Sequence, residues 1–80
     1  MKRGYEMDVV IKGVYKHFKG DYYIVEDIGY SCENEEKMVI YRALYGDNKV
    51  WIRSYNSFIE EVNKNNQKYR FELQKIKSVR

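Results

Sequence analysis

The 80-residue chain contains no proline, one cysteine, one histidine and one tryptophan. Without proline it carries no polyproline ligand motif and no slow prolyl isomerisation. A lone thiol, Cys32, excludes an internal disulfide and a multi-cysteine zinc site, which fits a reducing compartment and leaves stability to packing and hydrogen bonds. No stretch approaches the roughly 18 apolar residues of a membrane span. The N-terminal "MKRGYEMDVVIKG" also lacks the apolar core, roughly 7 to 15 residues long, of a secretory signal. A soluble cytoplasmic protein with no membrane association is therefore expected. Gly-rich phosphate loops, nucleophile elbows and metal-ligand clusters are missing too, so neither cofactor nor metal is expected. His17 and Cys32 could serve as base and nucleophile, but nothing local activates either. The acidic run Glu33, Glu35 and Glu36 lacks the Asp, Asn and Gly pattern of a calcium loop. The reading is not an enzyme.

What is present describes one small domain. A chain this short buries only about 60% of the surface its unfolded form exposes, so most apolar residues must serve a single core. The domain is placed at residues 12–74, with an N-terminal extension at 1–11 and a basic C-terminal tail at 75–80. The formal charge of +3 is unevenly spread. Lys75, Lys77 and Arg80 load the tail, whereas residues 13–73 hold nine basic against ten acidic side chains. A body this close to neutral lacks the basic stripe that tracks a phosphate backbone.

Aromatic and β-branched residues mark the strands. "GVYKHF" (13–18) and "YYIVEDIGY" (22–30) flank Gly20 and read as a hairpin. Parity changes at Glu26 and Asp27, which predicts a bulge. "SCENEEK" (31–37) reads as a loop, and "MVIYRALY" with "KVWIRSY" form a second hairpin around Gly46, Asp47 and Asn48. In "SFIEEV" (57–62) the period changes: Phe58, Ile59 and Val62 share a helical face, and Ser57 with Glu60 has capping-box spacing. "NKNNQ" reads as a polar loop and "YRFEL" (69–73) as the last strand. The pattern predicts a mainly β fold, a small five-stranded SH3-like barrel or roll with a short helical turn before the last strand. An OB-type barrel is the competitor, but it needs a helix where this chain has only a turn.

The second hairpin carries Arg42 and Arg53 inside its apolar runs. A two-residue turn at Asp47 and Asn48 would set Arg42 opposite Arg53 and Leu44 opposite Trp51. Val39, Tyr41, Ala43, Tyr45, Val50 and Ile52 would then face the core, while Arg42, Trp51, Arg53 and Tyr55 would share the outer face. Arginine beside an exposed tryptophan is the composition of binding hot spots. The expectation is a shallow aromatic and cationic patch, and it depends on register, since a one-residue slip moves Trp51 inward. The plainer alternative keeps Trp51 as a packing residue and pairs the arginines with Glu33, Glu35 or Glu36.

The runs "GVYKHFKGDYYIV", "VIYRALYGDNKVWIRSYNSFIEEV" and "YRFEL", in that order and spacing, resemble the bacterial domain of unknown function family 1653. The resemblance implies an SH3-type barrel and brings no established activity. Two departures stand out. Ser54 occupies a position where the family often has proline, which implies a looser approach to the helical turn. Ser31, Cys32, Glu33 and Asn34 replace the His-Ser-Glu-Thr usual after the second strand, so a site using that loop would rely on Glu33.

These observations point to a binding or adaptor module taking a peptide or a small anionic partner on Trp51, Arg42, Arg53, Tyr55 and Glu33, with strand addition to a sheet edge as one mode. The alternative is weak binding of single-stranded nucleic acid such as RNA, bases stacking on Trp51 and Tyr55.

Overall fold

A computed structural model describes residues 8–75. The basic residues of the two tails outside that range, Lys2, Arg3, Lys77 and Arg80, lie beyond the described residues. Seven strands and one helical turn follow in order: β1 (Val14–His17), β2 (Tyr22–Tyr30), β3 (Lys37–Ala43), β4 (Val50–Ser54), α1 (Tyr55–Phe58), β5 (Glu61–Lys64), β6 (Gln67–Tyr69) and β7 (Phe71–Leu73). The fold is mainly β. Five strands form one antiparallel sheet in the order β4-β3-β2-β1-β7, and β5 pairs with β6 in a separate hairpin. No helix among the described residues is long and apolar enough to cross a membrane.

The first hairpin and its bulge follow the sequence pattern. Gly20 supplies a left-handed turn at φ 111°, and its N–H donates to the His17 carbonyl at 2.8 Å. The β2–β3 register shifts between Val25 and Asp27, so Glu26 is the extra residue. The bulge lets Val25 and Ile28 both face the core although they lie three apart.

Those core-facing positions build an aromatic interior. Tyr15, Val25, Val39, Tyr41, Tyr55, Phe58 and Phe71 form the buried cluster, with Val9, Tyr23, Ile28 and Ile59 packed against it. Phe58 stacks on Phe71 with ring centres 4.1 Å apart, while Tyr15 and Tyr41 meet Phe58 edge to face. Fully burying side chains of this size contributes about 1.5–3 kcal/mol each. The N-terminal segment joins this core: Val9 and Val10 N–H groups donate to the hydroxyls of Tyr55 and Tyr15.

The sheet curls without closing. In a flat sheet β4 and β7, four strand spacings apart, would lie about 19 Å from each other. Yet the Arg53 guanidinium of β4 sits 5.5 Å from the centre of the Phe71 ring of β7, so the two ends bend over one concave face. The hydrogen-bonded closure expected of a five-stranded barrel is not made: β4 and β7 stand at opposite ends of the strand order. One reason is that "YRFEL" is not a single strand. It breaks at Arg70, whose N–H donates to the Glu60 carbonyl and whose carbonyl accepts from Phe18, leaving a three-residue β7 committed to β1.

Two further expectations shift. The helical turn starts at Tyr55 rather than Ser57, capped by Ser54, whose side chain accepts from the Ser57 N–H at 3.2 Å. Ser54 stands at φ −60°, within the range proline imposes, and its hydroxyl replaces pre-organisation with a cap, so this approach is held rather than loose. Val62 leaves the expected helical face for β5. Most of "NKNNQ", expected as a loop, is strand: Asn63 and Lys64 end β5, Gln67 opens β6, and only Asn65 and Asn66 make the turn, both left-handed as is Asn63.

Candidate functional site

The β3–β4 hairpin differs from the sequence reading in register. Tyr41 faces Trp51, Val39 faces Arg53 and Arg42 faces Val50. This is a slip of three residues, an odd number, so the β4 side chains exchange faces relative to β3. The cause is a longer loop. Gly46 and Asn48 take left-handed conformations but Asp47 does not, so the two-residue turn centred on Asp47 and Asn48, which needs positive φ at its first central position, is not formed. Instead Ala43 N–H donates to the Lys49 carbonyl, Asn48 Nδ2 closes on the Ala43 carbonyl, and Leu44 N–H donates to Tyr22 of β2. Tyr45 is drawn the same way, its hydroxyl 2.8 Å from that of Tyr23.

The expected shared outer face of Arg42, Trp51, Arg53 and Tyr55 is therefore corrected. Trp51 and Arg53 lie on the concave side with Tyr41 and Val39, while Arg42 lies on the convex side with Val50, Ile40 and Ile52. Val50 and Ile52, expected in the core, are exposed. Arg42 Nε donates to Glu26 at 2.9 Å, and Lys12 Nζ reaches the other Glu26 oxygen at 2.6 Å. The partner of Arg42 is thus the bulge carboxylate rather than a loop glutamate, and hydrogen bonds from Lys12 and then Arg42 hold the Glu26 carboxyl below its usual range. Tyr55 is buried: its hydroxyl accepts from Val9, and Lys37 Nζ lies 4.1 Å from its ring centre. Glu33 is exposed in the β2–β3 loop, at the far end of β3 from the Gly46 turn. The exposed thiol of Cys32 is in the same loop, apart from His17 on β1.

On the concave rim, residues distant in sequence converge. Trp51 is 45% exposed and, with Ala43, Tyr45, Asp47 and Lys49, lines a depression of about 210 Å³. Behind it Tyr23 meets Tyr45, Tyr41, His17 and Phe71 edge to face. Burial, then the hydrogen bond with Tyr45, raises the Tyr23 phenol above its ordinary pKa, so that hydroxyl stays neutral. His17 packs edge-on against Phe71 at 4.9 Å, and its Nδ1 accepts from the Lys19 N–H at 3.1 Å. Its neutral tautomer thus carries the proton on Nε2, which has no hydrogen-bond partner among the described residues. Burial, with Arg53, Arg70 and Lys19 nearby, lowers its pKa, so the imidazole is neutral at neutral pH.

Arg53 is the chemical centre of this rim. Its Nε donates to the Tyr41 hydroxyl at 3.1 Å and its Nη1 to the Ser57 hydroxyl at 3.0 Å, both neutral acceptors. Arg42 is paired with Glu26 and Arg70 with Glu60, so Arg53 alone among the arginines of the described residues meets no carboxylate. A half-buried guanidinium held in place by hydroxyls keeps its charge and its remaining donors for a planar anion. Three neighbours were not expected at this rim, although the sequence singles out His17 for another role. His17, Tyr45 and Arg70 reach this rim only through strand order and through the loop that redirects Tyr45, and no local pattern marks them. No group of three or more His, Cys, Asp or Glu side chains that could hold a metal ion occurs among the described residues.

No curated protein matches the chain. It is similar in structure to a protein from Bordetella bronchiseptica described as belonging to DUF1653, with a TM-score of 0.75 and 26% identity over 94% of this chain and 100% of the other. The family model described as "Protein of unknown function (DUF1653)" matches residues 13–73, three quarters of the chain, over the strands that carry the rim. The chain belongs to the DUF1653 family.

Proposed function

We propose that this domain is a non-enzymatic binding module whose concave rim takes a carboxylate group, presented by a peptide or by a small anionic molecule. The observation that carries the reading is Arg53, a guanidinium fixed by two hydroxyls without a counter-charge. In this arrangement the carboxylate sits on Arg53, the apolar part of the ligand covers Trp51, and His17 Nε2 offers a further donor. Arginine and tryptophan are also the residues that most often dominate binding energy. Glu33 and Tyr55 drop out of the proposed contact set, one by its distance along β3 and the other by burial. Arg42 drops out because it points to the other face with its charge already matched.

The test is an amide chemical-shift titration of the domain with three probes: a pool of short peptides with free C-termini, the same pool amidated, and small dicarboxylates. Saturable shifts at Trp51, Arg53, His17 and Tyr45, at least about tenfold weaker in Arg53→Gln, support the reading. Dependence on the free C-terminus assigns the carboxylate to a peptide, and dicarboxylate binding assigns it to a small molecule. Shifts confined to the convex face or to the β5–β6 hairpin overturn it. Short oligonucleotides form a separate arm, because Lys49 Nζ over the Trp51 ring at 5.8 Å also resembles a base-stacking platform. Binding there with a steep salt dependence would replace the carboxylate reading with nucleic-acid binding.

A further inference from the structure

The edge of β4 is an unfinished surface. This strand ends the five-stranded sheet and has no partner on its outward side among the described residues. Because Ala43 N–H donates to the Lys49 carbonyl and the β3–β4 register runs without a shift, the bonded pairs down the ladder are Tyr41 with Trp51 and Val39 with Arg53. The N–H and C=O groups of Val50 and Ile52, and the N–H of Ser54, consequently point away from β3, while the Ser54 carbonyl, at the N-cap, is taken by the first turn of α1. Proteins guard such edges with proline, a bulge or charge. Here there is no proline and no bulge, and the one charge, Arg53, is turned to the concave face and held there. The convex side of the edge is apolar instead: Ile52 is 64% exposed and, with Tyr30, Met38 and Ile40, lines a shallow depression of about 300 Å³.

We propose that the partner of this edge is a second copy of the chain, with β4 pairing antiparallel to β4 about a two-fold axis at Ile52, so that two sheets become one. Self-complementarity selects this occupant. With Ile52 opposite Ile52, the two Ile52 residues exchange both hydrogen bonds, and Val50 falls opposite Ser54, whose N–H donates to the Val50 carbonyl. The neighbouring in-phase registers would set Arg53 opposite Lys49 or opposite Arg53 of the second copy, like charges that disfavour them against the Ile52-centred alignment. The same alignment sets Trp51 opposite Arg53 of the second copy, so no like charges meet across the seam. On the convex side the two Ile52 side chains adjoin and extend the apolar surface across the axis. Such a contact is isologous and closes at two subunits.

This inference does not rest on the carboxylate reading, since mass reports on one and ligand-induced shifts on the other. The experiment is sedimentation equilibrium of the full chain from micromolar to millimolar concentration, with circular dichroism on every variant. The expected result is a monomer–dimer equilibrium that Ile52→Lys weakens at least about tenfold with the fold retained. Val50→Lys serves as the second probe should Ile52→Lys fail to fold. A wild-type chain that stays monomeric throughout overturns the proposal. So does a dimer that either folded lysine variant leaves intact.

Discussion

The two faces of one hairpin treat the same residue type in opposite ways. On the convex face Arg42 meets the Glu26 carboxylate that a bulge delivers to it, and Lys12 shares that carboxylate. On the concave face Arg53 is gripped by the hydroxyls of Tyr41 and Ser57 over the Phe71 ring, with no opposite charge. The first arrangement is complete in itself. The second leaves a fixed cation unmatched, which on the proposed reading lowers the ordering cost of an incoming anion. Sequence spacing alone made the two arginines equivalent, and three residues of register separate their roles.

The most disruptive way to break the concave side is to remove its floor. Phe71→Ala deletes the ring that stacks on Phe58 and underlies Arg53, and it should cost about 3–5 kcal/mol of stability in denaturant unfolding. Next comes the direct comparison of the arginines. Arg53→Gln should weaken ligand binding at least about tenfold, about 1.4 kcal/mol, whereas Arg42→Gln should leave affinity unchanged in the same titration. Ser54→Ala should then cost about 1 kcal/mol through loss of the cap on the turn that positions Ser57, read as a shift of the urea midpoint.

The smaller effects are in pH. His17 has a folded pKa below its unfolded value near 6.5, so the unfolded state binds more protons in that window. Stability should fall as pH drops through 6.5 and level off below the folded pKa, and His17→Gln should flatten this part of the profile. Glu26 behaves in the opposite region. Its carboxyl is depressed, so its contribution is present above its unfolded pKa near 4.5 and is lost as pH falls through the folded value, an effect that Glu26→Gln removes. Salt should weaken only the Glu26 contribution noticeably, because that pair is on the solvent-facing side.

Much of the fold was legible where the pattern is local. The β2 strand from Tyr22 to Tyr30, its bulge at Glu26 and the Gly20 turn follow from alternation and one glycine. The concave assignment of Val39, Tyr41 and Ala43 follows from alternation as well. The site was half legible: Trp51 and Arg53 were marked by composition, but their face depended on how the chain turned at 44–48. Gly46, Asp47 and Asn48 suit several turns, and the deciding interactions, Leu44 N–H to Tyr22 and Tyr45 to Tyr23, are made with a different strand. The N-cap was misplaced: the Ser57–Glu60 spacing suits a capping box, but the cap lies three residues earlier, at Ser54, because the turn starts in register with the core at buried Tyr55.

The account rests on Arg53 being an anchored cation without a counter-charge, and its own side-chain resonance reports on that most directly. In a proton–nitrogen correlation spectrum, the Nε–Hε signal of Arg53 should be visible and protected in the free domain and should move saturably as carboxylate ligand is added, while that of Arg42 stays still. An Arg42 signal that moves while Arg53 does not would contradict the account.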